Sequence, residues 1–221
     1  MPAPSVVVFD VNETLSDMGP MSRRFQEVGA AQHTARTWFA SVLRDGFALA
    51  AAGSFQPFGR VAEGQLRVVL SDSPLSCTLD EAVEHVMGGF ADLPVHPDVP
   101  GGVQALAARG ARLVTLTNGS VKVTTRLLTN AGIADRFEHL LSVDDAGVWK
   151  PAAGAYAHAA RVCGTDPADM LLVAVHPWDV DGARRAGLRA AWLNRRGLPY
   201  PDYFSAPDHT VTDLGQLAAV L

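Results

Sequence analysis

Four positions in the chain pair an apolar run with a polar tip able to do chemistry. Val6-Val7-Val8-Phe9 ends in Asp10, followed by Val11-Asn12-Glu13-Thr14-Leu15. A carboxylate there could serve covalent or acid–base chemistry, because open α/β sheets bind ligands beyond the carboxyl ends of their strands. Asp10 can equally cap the segment that follows, and on this strand alone both readings stand. Leu113 to Leu116 runs into Thr117-Asn118-Gly119-Ser120. A hydroxyl, an amide and free backbone N–H groups at a helix start favour anions, or supply no more than an N-cap. Trp149-Lys150-Pro151 follows a third run, with Pro151 suited to a first helical turn; a lysine in a loop is usually a solvated charge. The fourth run, Met170 to Val175, leads into His176-Pro177-Trp178-Asp179-Val180-Asp181. The acid and aromatic there could bind a ligand, or act as a cap and a packing residue.

The elements that must position these residues alternate along the chain. Strand-type runs at 111–116, 139–143, 170–175 and 189–193 are separated by segments of helical spacing at 99–109, 121–131, 152–162 and 180–186. That rhythm predicts right-handed βαβ units and a doubly wound, Rossmann-like parallel sheet. Residues 16–97 break it, reading as helices at roughly 20–29, 34–52, 59–70 and 79–90 with turns at Gly53–Pro57 and Ser71–Pro74. The expected organisation is an α/β core of 1–15 and 98–221 with an all-helical cap of 16–97 inserted after the first strand. A helical insert there would sit above the strand tips as a lid that excludes water.

Composition narrows the function. The chain has 221 residues, 48% of them hydrophobic, enough for a full core, and a net charge of −5. The charge argues against a nucleic-acid surface, which needs a basic footprint. No apolar run reaches membrane-spanning length and no basic-then-apolar leader opens the chain; a soluble, cytoplasmic protein is expected. Cys77 and Cys163 lack metal or disulfide spacing, and His33, His85, His96, His139, His158 and His209 show no ligand pattern.

Asp10, Thr117, Lys150 and Asp179 follow strands one, two, three and four in order. Their order and neighbours closely resemble the haloacid dehalogenase superfamily, whose motifs are a nucleophilic Asp, a Thr or Ser, a Lys and a terminal acid; the resemblance spans essentially the whole chain. Phosphatases of that superfamily carry a second Asp two residues after the nucleophile, where this chain has Asn12, which cannot act as an acid. They also carry a Mg²⁺-binding acid four residues before the terminal one, where this chain has Val175. Mg²⁺ needs oxygen ligands, so no metal and no cofactor are expected. Lys150-Pro151 with Tyr156, and Trp178-Asp179 with Gly182-Ala183, resemble the type II 2-haloacid dehalogenases.

That resemblance implies covalent catalysis on a small haloacid, in which Asp10 displaces halide from carbon 2 and water activated near Asp179 hydrolyses the ester to a 2-hydroxy acid. Lys150, paired with Asp179, would hold Asp10 ionised, and Thr14 would hydrogen-bond it. Thr117 and amides around Val11, Asn12 and Asn118 would take the substrate carboxylate. Trp178, Trp38 and Phe39 would wall the pocket, and Tyr156 would fix Lys150 or Asp179, or only pack. The resemblance also implies a homodimer. Two departures stand out. The Arg that cradles the halide in the family, just after an aromatic pair, is Ala40 here; Arg36 and Arg44 share its helix face and either one substitutes or both are solvated. His176 stands where the family has Asn, and either donates to the departing anion or bonds a neighbouring carbonyl. A superfamily phosphatase and a non-catalytic carboxylate-binding protein are the rival readings.

Overall fold

The computed structural model describes residues 4–221, so the first three residues of the expected 1–15 core segment lie outside the described residues. The chain runs through β1 (Val6–Phe9), α1 (Met21–Glu27), α2 (Thr34–Ala51), α3 (Phe58–Leu70), α4 (Leu79–Ala91), α5 (Val99–Ala108) and β2 (Arg112–Thr117). It continues with α6 (Val121–Asn130), β3 (His139–Ser142), α7 (Val143–Ala146), α8 (Ala153–Cys163), β4 (Met170–Ala174), α9 (Pro177–Arg185), β5 (Arg189–Leu193), β6 (His209–Val211) and α10 (Leu214–Val220). All six strands pair parallel in the order β3-β2-β1-β4-β5-β6. The expected doubly wound α/β class is what folds; the short β6, three residues long, carried no readable strand pattern.

β1 is central because all four of its residues, three Val and a Phe, are apolar and fully buried on both faces, as parallel strands covered by helices require. Its register fixes the site. Phe9 pairs with Thr115 on one side and Val173 on the other, so the tips of β2, β1 and β4 end side by side. Val7, Phe9 and Val173 pack under α5, α6 and α10, while Val6, Val8 and Leu172 pack under α8 and α9.

The four helices α1 to α4 surround a separate apolar cluster of Phe25, Trp38, Phe58, Leu66 and Phe90. Chain entry to and exit from this layer are joined by an antiparallel bridge between Ser16 and Val95. Its tie to the sheet is Trp149, which is fully buried, stacks on Phe58 at 5.7 Å, and donates its indole N–H to the Gln56 carbonyl at 2.9 Å. Gly46 of α2 makes this docking possible, since a Cβ there would lie 2.2 Å from the Trp149 ring. Among the described residues no helix is long and apolar enough to cross a membrane.

Gly46→Ala therefore overpacks the joint and is expected to lower stability by about 1–3 kcal/mol, seen as a drop of several degrees in Tm. Gly64→Ala in α3, whose added methyl meets nothing within 4 Å, serves as the control and should leave Tm level or raise it.

Candidate active site

The centre of the strand-tip cluster is Lys150, which is fully buried. Its Nζ donates to Asp10 Oδ1 at 2.9 Å and to Asp179 Oδ2 at 2.6 Å. The lysine is held at its backbone by Asn118, whose Oδ1 accepts the Lys150 N–H at 2.9 Å and whose Nδ2 donates to the Lys150 carbonyl at 3.2 Å. That clamp engages one N–H and one lone pair of the Asn118 amide and fixes the side chain's orientation. Thr117, at 1% exposed, accepts the Gly119 N–H at 2.9 Å, which shapes the turn after β2.

The two carboxylates are satisfied on their other oxygens as well. Thr14 donates to Asp10 Oδ2 at 2.6 Å while its own oxygen accepts the Val175 N–H at 3.1 Å, tying the tip of β1 to that of β4. Asp179 Oδ1 accepts from the Tyr156 hydroxyl at 2.6 Å. Asp179 lies in the first turn of α9, where the helix dipole favours a negative charge. Asp179, near which the sequence reading expects water to be activated, is fully buried, and each of its oxygens takes one donor. Tyr156 is likewise fully buried and reaches Asp179, not the cavity.

Charge balance follows from burial. Removal from water works against the Lys150 ammonium, but Asp10 and Asp179 outweigh it and hold its pKa above the usual lysine range. For Asp179, burial pushes the carboxyl up, and Asp10 adds to this while Lys150 opposes it. Burial, with Asp179 alongside, puts the Tyr156 phenol well above its usual value, so it stays a donor.

A cavity of about 540 Å³ borders the cluster at His176, whose Nε2 is 3.9 Å from Asp10 Oδ2; Asp10, Lys150 and Asp179 do not themselves line it. Helix α2 supplies Arg36, Phe39, Ala40 and Leu43 to its wall; the strand tips supply Glu13, Val175, His176 and the Trp192 to Arg196 segment. Trp38, next to Phe39, is instead fully buried in the helical layer and donates to the Ala62 carbonyl at 2.9 Å, because adjacent residues on a helix point about 100° apart. Of the two arginines flanking Ala40, Arg36 lines the cavity, whereas Arg44 pairs with Asp45 at 2.8 Å. Arg195 also lines it but is paired with Asp98 at 2.7 Å and donates to the Thr14 carbonyl at 3.0 Å. Val11 is buried at 2% exposure in the core. Asn12, 9% exposed, stands beside Gly119.

His176 stacks on Trp178 at 4.9 Å, and Trp178 packs against Phe47. His176 Nε2 lies 3.2 Å from the Asn12 carbonyl, 3.5 Å from Glu13 Oε2 and 3.9 Å from Asp10 Oδ2. Sequence reasoning passed over Glu13, although a carboxylate three residues after Asp10 was visible. Its placement depends on a backbone φ of +64°, a left-handed conformation that nothing about a glutamate announces. No group of three His, Cys, Asp or Glu among the described residues is arranged to hold a metal.

This geometry belongs to a recognised group. The chain is a member of the haloacid dehalogenase-like hydrolases, whose sequence profile matches residues 4–187. It is 30% identical to haloacetate dehalogenase H-2 of Moraxella sp. (strain B), over 93% of this chain and 92% of that protein. It is 29% identical to the (S)-2-haloacid dehalogenase of Pseudomonas sp. (strain YL), over 94% and 90%. Among solved structures, an L-2-haloacid dehalogenase superposes with a TM-score of 0.93 at 28% identity, covering 99% of both chains. The L-2-haloacid dehalogenase from Xanthobacter autotrophicus with chloropropionic acid covalently bound superposes at 0.88 and 25% identity, covering 98% of both chains.

Two outcomes follow from the site. Tyr156→Phe strips a donor from a buried carboxylate and should cost about 1.5–3 kcal/mol of stability, with kcat falling more than KM changes in steady-state assays. For Asp98, burial raises the pKa, but Arg195 and the Leu214 N–H outweigh it and hold the carboxyl below its usual value. A carboxyl whose folded pKa is depressed contributes stability above its usual value and loses it as pH falls through the lowered one. Urea melts of Asp98→Asn should therefore lack part of the acid limb seen in wild type below about pH 4.

Proposed function

We propose that this protein hydrolyses short 2-haloalkanoic acids to 2-hydroxy acids through a covalent ester on Asp10, without a metal. The reading is carried by one observation: a buried Lys150 ammonium bridging Asp10 and Asp179, with His176 of a neighbouring cavity wall 3.9 Å from Asp10. The cation pairs directly with Asp10, the carboxylate that would act as the nucleophile. An Asp10 oxygen attacks carbon 2 in line, the carbon–halogen bond breaks, and halide leaves with the electron pair. Water then adds to the ester carbonyl carbon and the 2-hydroxy acid departs.

Residues 16–97 act in this reading as a helical cap over a core of 1–15 and 98–221. Phe39, Ala40 and Leu43 of α2 enclose the substrate's apolar part, with Arg36 and His176 as the donors available to the departing halide. The substrate carboxylate is assigned to Thr117 and the backbone amides beyond β1 and β2, around Val11, Asn12 and Asn118. The donor set supports metal independence. Both Asp10 oxygens take donors from Lys150 and Thr14, and Asn12 and Val175 stand where a phosphatase would place its acid and a Mg²⁺ ligand.

A halide-release assay over chloro-, bromo- and fluoroacetate and 2-halopropionates, run beside a phosphate-ester panel, tests this. Chelator-resistant halide release is expected; phosphate release that chelator abolishes, with no halide from any haloacid, would overturn it. In ¹⁸O-water, a single turnover should place label in the Asp10 carboxylate and leave the product hydroxyl unlabelled.

A further inference from the structure

We propose that Arg195 is a positioning residue for the Asp10 nucleophile, acting through Thr14 and not through contact with substrate. The inference rests on the covalent reading above, in which Asp10 must present one carboxylate oxygen in line with the carbon–halogen bond. Lys150 holds Oδ1 at 2.9 Å and the Thr14 hydroxyl holds Oδ2 at 2.6 Å, so the carboxylate cannot turn about its Cβ–Cγ bond while both donors stay in place. Lys150 is fixed by burial and by Asn118. Thr14 lies in an irregular turn and has to be held from outside it.

Arg195 supplies that hold. Leu15 and Ser16 both donate their N–H to the Val11 carbonyl, at 2.9 and 3.0 Å, so the chain leaves β1 in one tight turn. The next three carbonyls face side chains from distant segments: His176 Nε2 is 3.2 Å from the Asn12 oxygen, His96 Nε2 is 3.0 Å from that of Glu13, and Arg195 Nη2 donates to that of Thr14 at 3.0 Å. Glu13, in the middle, has a φ of +64°, a conformation that persists only where surroundings enforce it. Of the three side chains, Arg195 grips the residue whose hydroxyl touches Asp10, and a guanidinium stays charged at every working pH. Thr14 is thus tied at both of its polar ends, its hydroxyl oxygen to the Val175 N–H beyond β4 and its carbonyl to Arg195 beyond β5.

Arg195 is itself anchored. Its Nη1 pairs with Asp98 at 2.7 Å, and Asp98 Oδ2 accepts the Leu214 N–H at 2.9 Å. A planar guanidinium suits this double task, since separate nitrogens of one rigid fork reach the carboxylate and the carbonyl. Arg195 also lines the cavity, which gives it a rival role as an anchor for the substrate carboxylate. Asp98 already balances its charge, so a second anion gains less from it. In-line attack is sensitive to placement, a shift of about 1 Å costing about 10²-fold in rate, and a loosened Thr14 therefore slows the chemical step more than it weakens binding.

The experiment is a double-mutant cycle of Arg195→Gln and Thr14→Val, read by steady-state kinetics and by single-turnover halide release at enzyme excess, with a 2-haloacid that the wild type turns over. Arg195→Gln should lower kcat by about 10–10²-fold with KM within about threefold of wild type. Introduced into Thr14→Val, it should cost less than about threefold more, because residues that act as a unit are not additive. Arg195→Lys keeps a cation for Asp98, so it should melt above Arg195→Gln and show the same non-additivity if the glutamine variant fails to fold. A raised KM at unchanged kcat would make Arg195 a substrate anchor, and an undiminished loss in the Thr14→Val background would leave it a support of the fold; either result overturns the assignment. Absence of halide from the wild type would instead remove the covalent reading beneath it.

Discussion

A lysine with no access to water is the constraint around which this site is built. An ammonium removed from solvent must be paired inside the protein, and deleting one partner of a buried pair costs about 3–5 kcal/mol. Lys150 meets that demand with Asp10 and Asp179, and the requirement then spreads. Each carboxylate has a second oxygen to satisfy, which fixes Thr14 on one side and Tyr156 on the other. Thr14 reaches Val175, and Asn118 grips the lysine backbone. The resulting network crosses β1, β2, β4, α8 and α9, and only strands in parallel register deliver all of its members to one edge.

The same segment connects the site to the helical layer. Trp149 precedes Lys150 and is packed between Gly46 and Phe58, so the helix that walls the cavity and the lysine that organises the carboxylates share an anchor. Preorganisation of this kind places charge before a substrate arrives, which is where electrostatic stabilisation is most effective. Movement of α2 relative to the sheet would disturb both the pocket shape and the lysine.

Around that rigid triad the cavity lining is more individual. Ala40 removes a cation from α2, and Arg195, though present, is neutralised by Asp98. His176 and Glu13 stand 3.5 Å apart on the opposite wall. Asp10 is thus held by a buried arrangement, while the residues that differ from the family pattern stand on the cavity surface, where substitution costs the fold less.

Much of this was legible along the chain. The alternation of buried strands and helices is a local pattern, so the sequence determined the α/β class and the order of Asp10, Thr117, Lys150 and Asp179 along it, with Lys150 reached only after the short α7 that follows β3. Spacing also put Arg36, Ala40 and Arg44 on one helix face. What spacing could not say is where that face meets the cavity: Arg36 lies at it and Arg44 turns to Asp45, and Trp38 enters the helical core while Phe39 lines the pocket. Nor could it say that Asp179 is sealed or that Glu13 adopts a left-handed backbone. Those facts depend on contacts between residues far apart in the chain, such as Tyr156 with Asp179 and His96 with Glu13. A local sequence pattern records which groups are present, and packing alone decides which of them keep a free lone pair facing water.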